Sequence, residues 1–275
     1  MRLISICPSN TELLAFLEIE HLLVGIDDFS DWPQSICDLP RLGPDLSINM
    51  EKLEKLKPDL VLASLSVPGM EKNVVELERR NIPHIVLNPG SLSDIADDLL
   101  LVGEKTGYEH KAREVVNRYN NIIDDYKKRS SAIKDLPTLY WEWWPKPIFS
   151  PGGFNWLTEI SMLAGGKNIF SNKDTASYQA EWDEIRKINP DHICLAWVGV
   201  QQEKMKPELI RKRPNALEMK AIQNNNIHIL EESLYCRPSP RLLVGLKKLA
   251  SILHPTIFSN NDGIDTLLEK NKSAV

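Results

Sequence analysis

The sequence predicts an α/β chain of two lobes, each built on a mainly parallel sheet, joined by one long helix. Three observations carry this reading. Short β-rich runs alternate with helical patterns over the first hundred residues, as βαβ units require. A single helical stripe then runs from Tyr108 to Ile133, and after Pro137 the alternation resumes and partly repeats the first half. The expected organisation is an N-terminal lobe over 1–107, a linking helix over 108–134, a C-terminal lobe over 135–258 and a tail over 259–275.

Leu3 to Ile6 reads as the first strand. Ser9-Asn10-Thr11-Glu12 has the form of a capping box and predicts a helix through Leu17, followed by a strand from Leu22 to Ile26. Leu53 to Leu56 closes a short helix before Pro58, Asp59 to Ala63 is a strand, a helix covers about Lys72 to Arg80, and His84 to Leu87 is a strand. In the linking helix Ala112, Val115, Val116, Tyr119, Ile122, Ile123 and Tyr126 fall on one face. Some 25 residues at 1.5 Å each would reach roughly 38 Å, enough to brace two lobes.

Farther on, Met50 to Leu62 aligns without a gap on Trp182 to Cys194. In both copies an acid, Glu51 or Asp183, stands seven residues before a Pro-Asp that leads into an apolar strand. Asn81-Ile82-Pro83-His84-Ile85 similarly resembles Asn226-Ile227-His228-Ile229. Two matches in the same order favour a duplicated architecture.

Composition narrows the function. With 33 Lys plus Arg against 38 Asp plus Glu, the net charge is −5, which disfavours nucleic acid or an anionic membrane as partner. No apolar run approaches the roughly 20 residues that span a bilayer. Met1 to Pro8 is too short for the apolar region of a signal peptide. As written the chain is therefore expected in the cytoplasm, or in the periplasm or at the cell surface if a leader has been removed. Cys7, Cys37, Cys194 and Cys236 lack CxxC spacing and read as reduced, mostly buried thiols. The six histidines show no paired ligand spacing, so no metal site is expected, and neither phosphate-loop glycine motifs nor a GxSxG elbow occur.

In open α/β sheets ligands lie beyond the carboxyl ends of the strands, and here those loops are rich in tryptophan. Asp27 to Trp32, Trp141 to Pro147, Phe154 to Trp156 and Trp197 to Gly199 all follow strands, as does Ser171 to Trp182, and all seven tryptophans lie in or beside these segments. Indoles at strand ends can simply cap the core; gathered on two facing lobes they make a rigid apolar wall for a large, partly planar ligand. Trp32, Trp144, Trp156 and Trp197 are the principal candidates, joined by Phe154 and by Ser9 at the end of the first strand. Trp141 and Trp143 alternate, so one of them should face the core. Arg237, in Arg237-Pro238-Ser239-Pro240-Arg241, either bonds loop carbonyls or meets a ligand carboxylate, amide or phosphate.

Taken together, Ser5 to Leu14, Val24 to Asp28, Lys57 to Val61, Ala164 to Phe170 and Arg237 to Leu242 resemble the helix-linked substrate-binding proteins of ABC importers for cobalamin and iron chelates, most of all the cobalamin branch. The resemblance covers about residues 2 to 258. It implies a ligand held in a cleft between two lobes with little hinge closure, and an acid on each lobe that docks on permease arginines. By position these acids are Glu51 and Asp183, with Glu184 as a substitute for the shorter Asp183.

The expected function is therefore capture of cobalamin or a related corrinoid, with a small-molecule ligand and an ABC permease as partners and a monomer as the assembly. No catalytic residue and no required cofactor are expected. An iron chelate, siderophore or haem, is the second ligand class. A corrinoid- or nucleoside-handling enzyme using Glu142 or Asp183 as acid or base is the competing class, and a scaffold with an empty cleft the third.

Overall fold

The computed structural model, which describes residues 1–258, 265, 267 and 268, divides into two α/β units. Of the described residues, one comprises Met1–Asn120 with Pro238–Pro240, Leu267 and Leu268, the other Asn121–Arg237 with Arg241–Phe258 and Asp265. Most of the expected tail, 259–275, lies outside the described residues.

The first unit runs β1 (Leu3–Ser5), α1 (Pro8–Phe16), β2 (Leu23–Ile26), α2 (Met50–Lys55), β3 (Leu60–Ser64), α3 (Glu71–Arg79), β4 (His84–Leu87) and α4 (Leu92–Thr106). Its four strands are all parallel, in the order β2-β1-β3-β4. Parallel strands are covered on both faces and so read as continuous apolar runs; every residue of β1 and β3 is buried. Ile4, Ile6, Leu53, Val61, Ala63 and Leu77 form a core cluster of this unit.

The expected capping box at Ser9 to Glu12 is not formed. Pro8 occupies the first turn of α1 and Cys7 is its N-cap, which leaves Ser9 already inside the helix. Glu12 is 1% exposed and accepts a hydrogen bond from Ser239 Oγ instead. A capping box does form at α4, between Ser91 and Asp94. That helix ends on Gly107 at φ 80°, a left-handed position that glycine adopts without penalty, and the chain turns at once into the long helix α5 (Glu109–Ser130). The stripe read from the sequence is sound: Ala112, Val115, Val116, Tyr119 and Tyr126 are all buried.

In the second unit follow β5 (Thr138–Glu142), β6 (Trp144–Pro145), β7 (Ile148–Pro151), α6 (Trp156–Leu163), β8 (Lys167–Asn168), β9 (Ser177–Ala180), α7 (Trp182–Ile188), β10 (His192–Leu195), α8 (Glu208–Arg211), α9 (Lys220–Gln223), β11 (Ile227–Ile229), α10 (Glu232–Tyr235) and α11 (Leu242–Leu253). A parallel sheet has the order β11-β10-β5-β8, and β6-β7-β9 forms a small antiparallel sheet. The segment Ser171 to Trp182, read as a loop, contributes β9 to that small sheet.

The internal repeat is structural. Met50 and Trp182 each open a helix, Glu51 and Asp183 each stand in its first turn, and the helices lead into the interior strands β3 and β10. Even the turn between them matches: Lys57 at φ 48° and Asn189 at φ 55° occupy aligned positions. Side by side on β10 and β11, His192 Nδ1 and His228 Nε2 are 2.9 Å apart, and burial lowers the pKa of both, that of His192 to about 4.

Candidate functional site

In each parallel sheet the strand order reverses beside an interior strand, and that reversal opens the carboxyl edge as a place for ligand. In the first unit it falls between β1 and β3, in the second between β5 and β10. In the second unit the segments leaving those strands, Trp141 to Pro147 and Trp197 to Gly199, are among those the sequence singled out; in the first unit Ser9 follows β1, whereas the segment Asp27 to Trp32 leaves β2.

Beyond β5 and β10 the second unit holds its aromatic residues in two layers. Trp141 is fully buried, with Nε1 donating to Ser161 Oγ at 2.9 Å. Trp156, positioned by the Asn155 N-cap of α6, is 6% exposed and donates to the Tyr235 carbonyl at 2.9 Å. Trp197 is also 6% exposed and packs in the core with Tyr140, Leu195 and Met205. The outer layer differs. Trp144 is 43% exposed, its indole pinned to the hairpin turn by a 2.9 Å bond from Nε1 to the Lys146 carbonyl, and Phe154 is 63% exposed. Val198, 38% exposed, hangs from the same edge through a 3.1 Å bond from its N–H to the Trp143 carbonyl.

The inner layer is tied to Glu142, the last residue of β5 and fully buried. Arg213 forks onto it with Nη1 to Oε2 at 2.6 Å and Nη2 to Oε1 at 2.9 Å. Tyr140 Oη donates to Oε2 at 2.5 Å and Trp197 Nε1 to Oε1 at 3.2 Å. Burial works against the Arg213 charge, and its bonds to Glu142 outweigh that, raising its pKa. Burial and the neighbouring carboxylate push the Tyr140 hydroxyl well above its usual value. Four donors fill the carboxylate's four acceptor directions, so Glu142 is a packing hub with no lone pair to offer a substrate. Asp183, its suggested partner in acid and base chemistry, is exposed and 3.4 Å from Arg186.

In the first unit the carboxyl edge is lined with small polar groups. Ser9 is 3% exposed, with its Oγ 3.2 Å from Cys7 Sγ, and Asn10 Nδ2 donates to the Ala63 carbonyl at 2.9 Å. Burial pushes the Cys7 thiol up to about 11, so it stays neutral. Trp32 is half-buried, tilted against Phe16 with ring centroids 5.6 Å apart. Phe29, absent from the sequence candidates, is 51% exposed on the same loop. The loop is organised by Asp27, whose Oδ1 accepts from the N–H groups of Phe29 at 2.7 Å and Ser30 at 3.0 Å.

Arg237 is 9% exposed and its guanidinium bonds Glu232 through Nε at 3.1 Å and Nη2 at 3.0 Å. Its charge is thus paired with a carboxylate of the second unit, a partner that differs from the loop carbonyls weighed for it. Of the sequence candidates, Trp144 and Phe154 stand exposed, Trp32 is half-buried, and Ser9, Trp156, Trp197 and Arg237 are interior. Arg213 and Asp27 were missed; the spacing Asp27-x-x-Ser30, which suits an Asx-type turn, was the available signal for the second. Among the described residues no group of three or more His, Cys, Asp or Glu is placed to hold a metal, and no helix is long and apolar enough to cross a membrane.

Comparison with known proteins agrees with this architecture. The sequence profile of the family described as periplasmic binding protein matches residues 3–234. The chain is 27% identical over 262 residues to the ABC transporter substrate-binding lipoprotein YvrC of Bacillus subtilis, covering 94% of this chain and 81% of that protein. Among solved structures it resembles the periplasmic vitamin B12 binding protein BtuF of Vibrio cholerae, with a TM-score of 0.75, 22% identity and coverage of 92% and 96% of the two chains. It also resembles IsdE of S. aureus, complexed with heme, with a TM-score of 0.81, 19% identity and coverage of 92% and 98%. At those identities the structural likeness speaks to the fold; with the profile match across most of the sequence, the chain belongs to the periplasmic binding protein family.

Proposed function

We propose that this chain is the substrate-binding component of an ABC importer, acting outside the cytoplasmic membrane, and that it captures a bulky, partly planar ligand, a cobalamin or related corrinoid. The observation that carries the reading is the outer aromatic layer. Trp144 and Phe154 remain 43% and 63% exposed at the carboxyl edge of the second unit's strands, while Trp141, Trp156 and Trp197 close the core behind them. Large aromatic side chains gathered at a sheet's ligand-binding edge mark a surface that something covers. The names of the relatives agree, since BtuF is a vitamin B12 binding protein. Recognition would rest on burial of flat apolar surface with a few polar anchors, and no covalent step is needed.

A second reading, an iron chelate such as haem, has the support of the haem-bound IsdE structure. Glu51 and Asp183, exposed acids in the first turns of the repeated helices, are proposed as the docking points for permease arginines.

Calorimetric titration with cyanocobalamin and, separately, with haemin decides the ligand. Saturable one-to-one binding of cyanocobalamin, at least tenfold tighter than haemin, is expected. Tighter haemin binding selects the second reading, and heat of dilution alone with both removes the corrinoid proposal. The Glu51→Lys/Asp183→Lys double variant should keep its affinity and lose transport with the cognate permease; unimpaired transport rejects the docking assignment.

A further inference from the structure

A line of buried oxygens at the carboxyl edge of the first unit contains one hydrogen fewer than it needs. Ser5 Oγ donates to the Cys7 carbonyl at 3.0 Å, and Thr11 Oγ1 donates to Ser5 Oγ at 2.8 Å. Thr11 Oγ1 is also 2.8 Å from Ser30 Oγ, and Ser30 Oγ is 2.5 Å from Asp27 Oδ2. Ser5, Thr11, Asp27 and Ser30 are all at most 1% exposed.

Four hydrogen-bond links require four hydrogens, and a hydroxyl carries one. Ser5 spends its hydrogen on the Cys7 carbonyl, so the link between Thr11 and Ser5 needs the hydrogen of Thr11; turned to Ser30 at 2.8 Å or to that carbonyl at 3.4 Å, it would leave the Ser5 link without one. The link between Thr11 and Ser30 must then be made with the hydrogen of Ser30. Nothing is left for the shortest link of all unless the carboxyl group brings it.

We propose that on the acid side of its titration Asp27 is a neutral carboxylic acid donating to Ser30, and that this proton positions the loop 27–32, with Phe29 and Trp32, against α1. The ligand role of that loop rests on the function proposed above; the hydrogen count does not.

The surroundings agree with a neutral group. Burial pushes the Asp27 carboxyl up to about 6, against the opposing bonds from Ser30 and Phe29. Arg41, the cation beside it, spends Nη1 on the backbone carbonyls of Asp27 and Ser30, at 3.0 and 2.5 Å. From the other elements, the titratable groups facing it are Cys7, a neutral thiol, and Asp45, whose charge opposes ionisation. Glu12 on α1 accepts from Ser239, and Asp28 Oδ1 accepts the Gly43 N–H at 3.1 Å. When pH rises past the point at which Asp27 ionises, Ser30 turns its hydrogen to the carboxylate. The oxygens of Ser30 and Thr11 then face each other with none between them, or Thr11 turns its own hydrogen to Ser30 and gives up Ser5; either way the line from the loop through α1 to β1 is broken.

The test needs no ligand, so it stands apart from the titrations above. The carboxyl carbon of Asp27, observed by NMR in aspartate-labelled protein and assigned with Asp27→Asn, should titrate near pH 6. Thr11→Val should lower that midpoint by about one unit or more, because Ser30 is then free to donate to the carboxylate. Burial alone as the cause would leave the midpoint in place or raise it, since valine is the more apolar neighbour. In Asp27→Asn the amide supplies the fourth hydrogen at every pH, so amide protection factors across residues 28–32 should stay constant between pH 5 and 8, whereas those of the parent loop fall several-fold. An Asp27 already ionised at pH 5, or a midpoint unmoved or raised in Thr11→Val, would overturn the proposal.

Discussion

Replacing Glu142 with Leu is expected to cost the protein about 3 to 5 kcal/mol of stability, the cost of stranding one partner of a buried ion pair. The substitution leaves the Arg213 guanidinium, only 15% exposed, without the carboxylate it grips, and it orphans the hydroxyl of Tyr140 and the indole N–H of Trp197. Adding Arg213→Met should recover a large part of the loss, since a buried pair removed whole is close to neutral. Urea unfolding of the two variants checks this. A single variant within about 1 kcal/mol of the parent would show that water reaches Arg213 and that the cluster is not the hub described above.

Trp144 and Trp197 are expected to separate binding from folding. Trp144→Ala removes a half-exposed indole whose one hydrogen bond is local. Ligand affinity should fall by about 1 to 3 kcal/mol, roughly 5- to 150-fold, with the urea midpoint almost unchanged. Trp197→Ala empties a core position and breaks a bond to Glu142. Stability should fall by about 3 to 5 kcal/mol, and any change in affinity should follow from that loss. Paired titration and unfolding of both variants reads the two effects. The reverse pattern, with Trp144 structural and Trp197 dispensable for folding, would exchange the inner and outer layers.

Much of the architecture was written plainly in the sequence because the responsible forces are periodic. Strands β1, β3 and β10 are nearly unbroken apolar runs, as parallel strands buried on both faces must be, and α5 carries one buried stripe. The small sheet β6-β7-β9 was not legible. Two of its strands are prolyl at an end, Pro145 and Pro151, and proline in so short a run reads as a turn. The capping pattern at Ser9 misled because capping depends on where a helix starts, and Pro8 starts it earlier.

The candidate site was legible as a location and not as a set of orientations. Tryptophans crowd the strand ends, but a loop has no period from which to tell an inward ring from an outward one. Phe154 and Trp156, two residues apart, show the difficulty: the Asn155 N-cap sends the chain into α6, which buries Trp156 and leaves Phe154 exposed. Charge pairing was equally hidden. Arg213 lies 71 residues from Glu142, and only the folded chain brings them together.

Hydroxyl-radical footprinting with and without cyanocobalamin tests most directly whether the exposed rings receive the ligand. Saturating cyanocobalamin should slow oxidation of Trp144, Phe154 and Phe29 several-fold while leaving Leu217, 65% exposed elsewhere on the second unit, unchanged. Bound ligand with undiminished oxidation of those three rings would contradict the account.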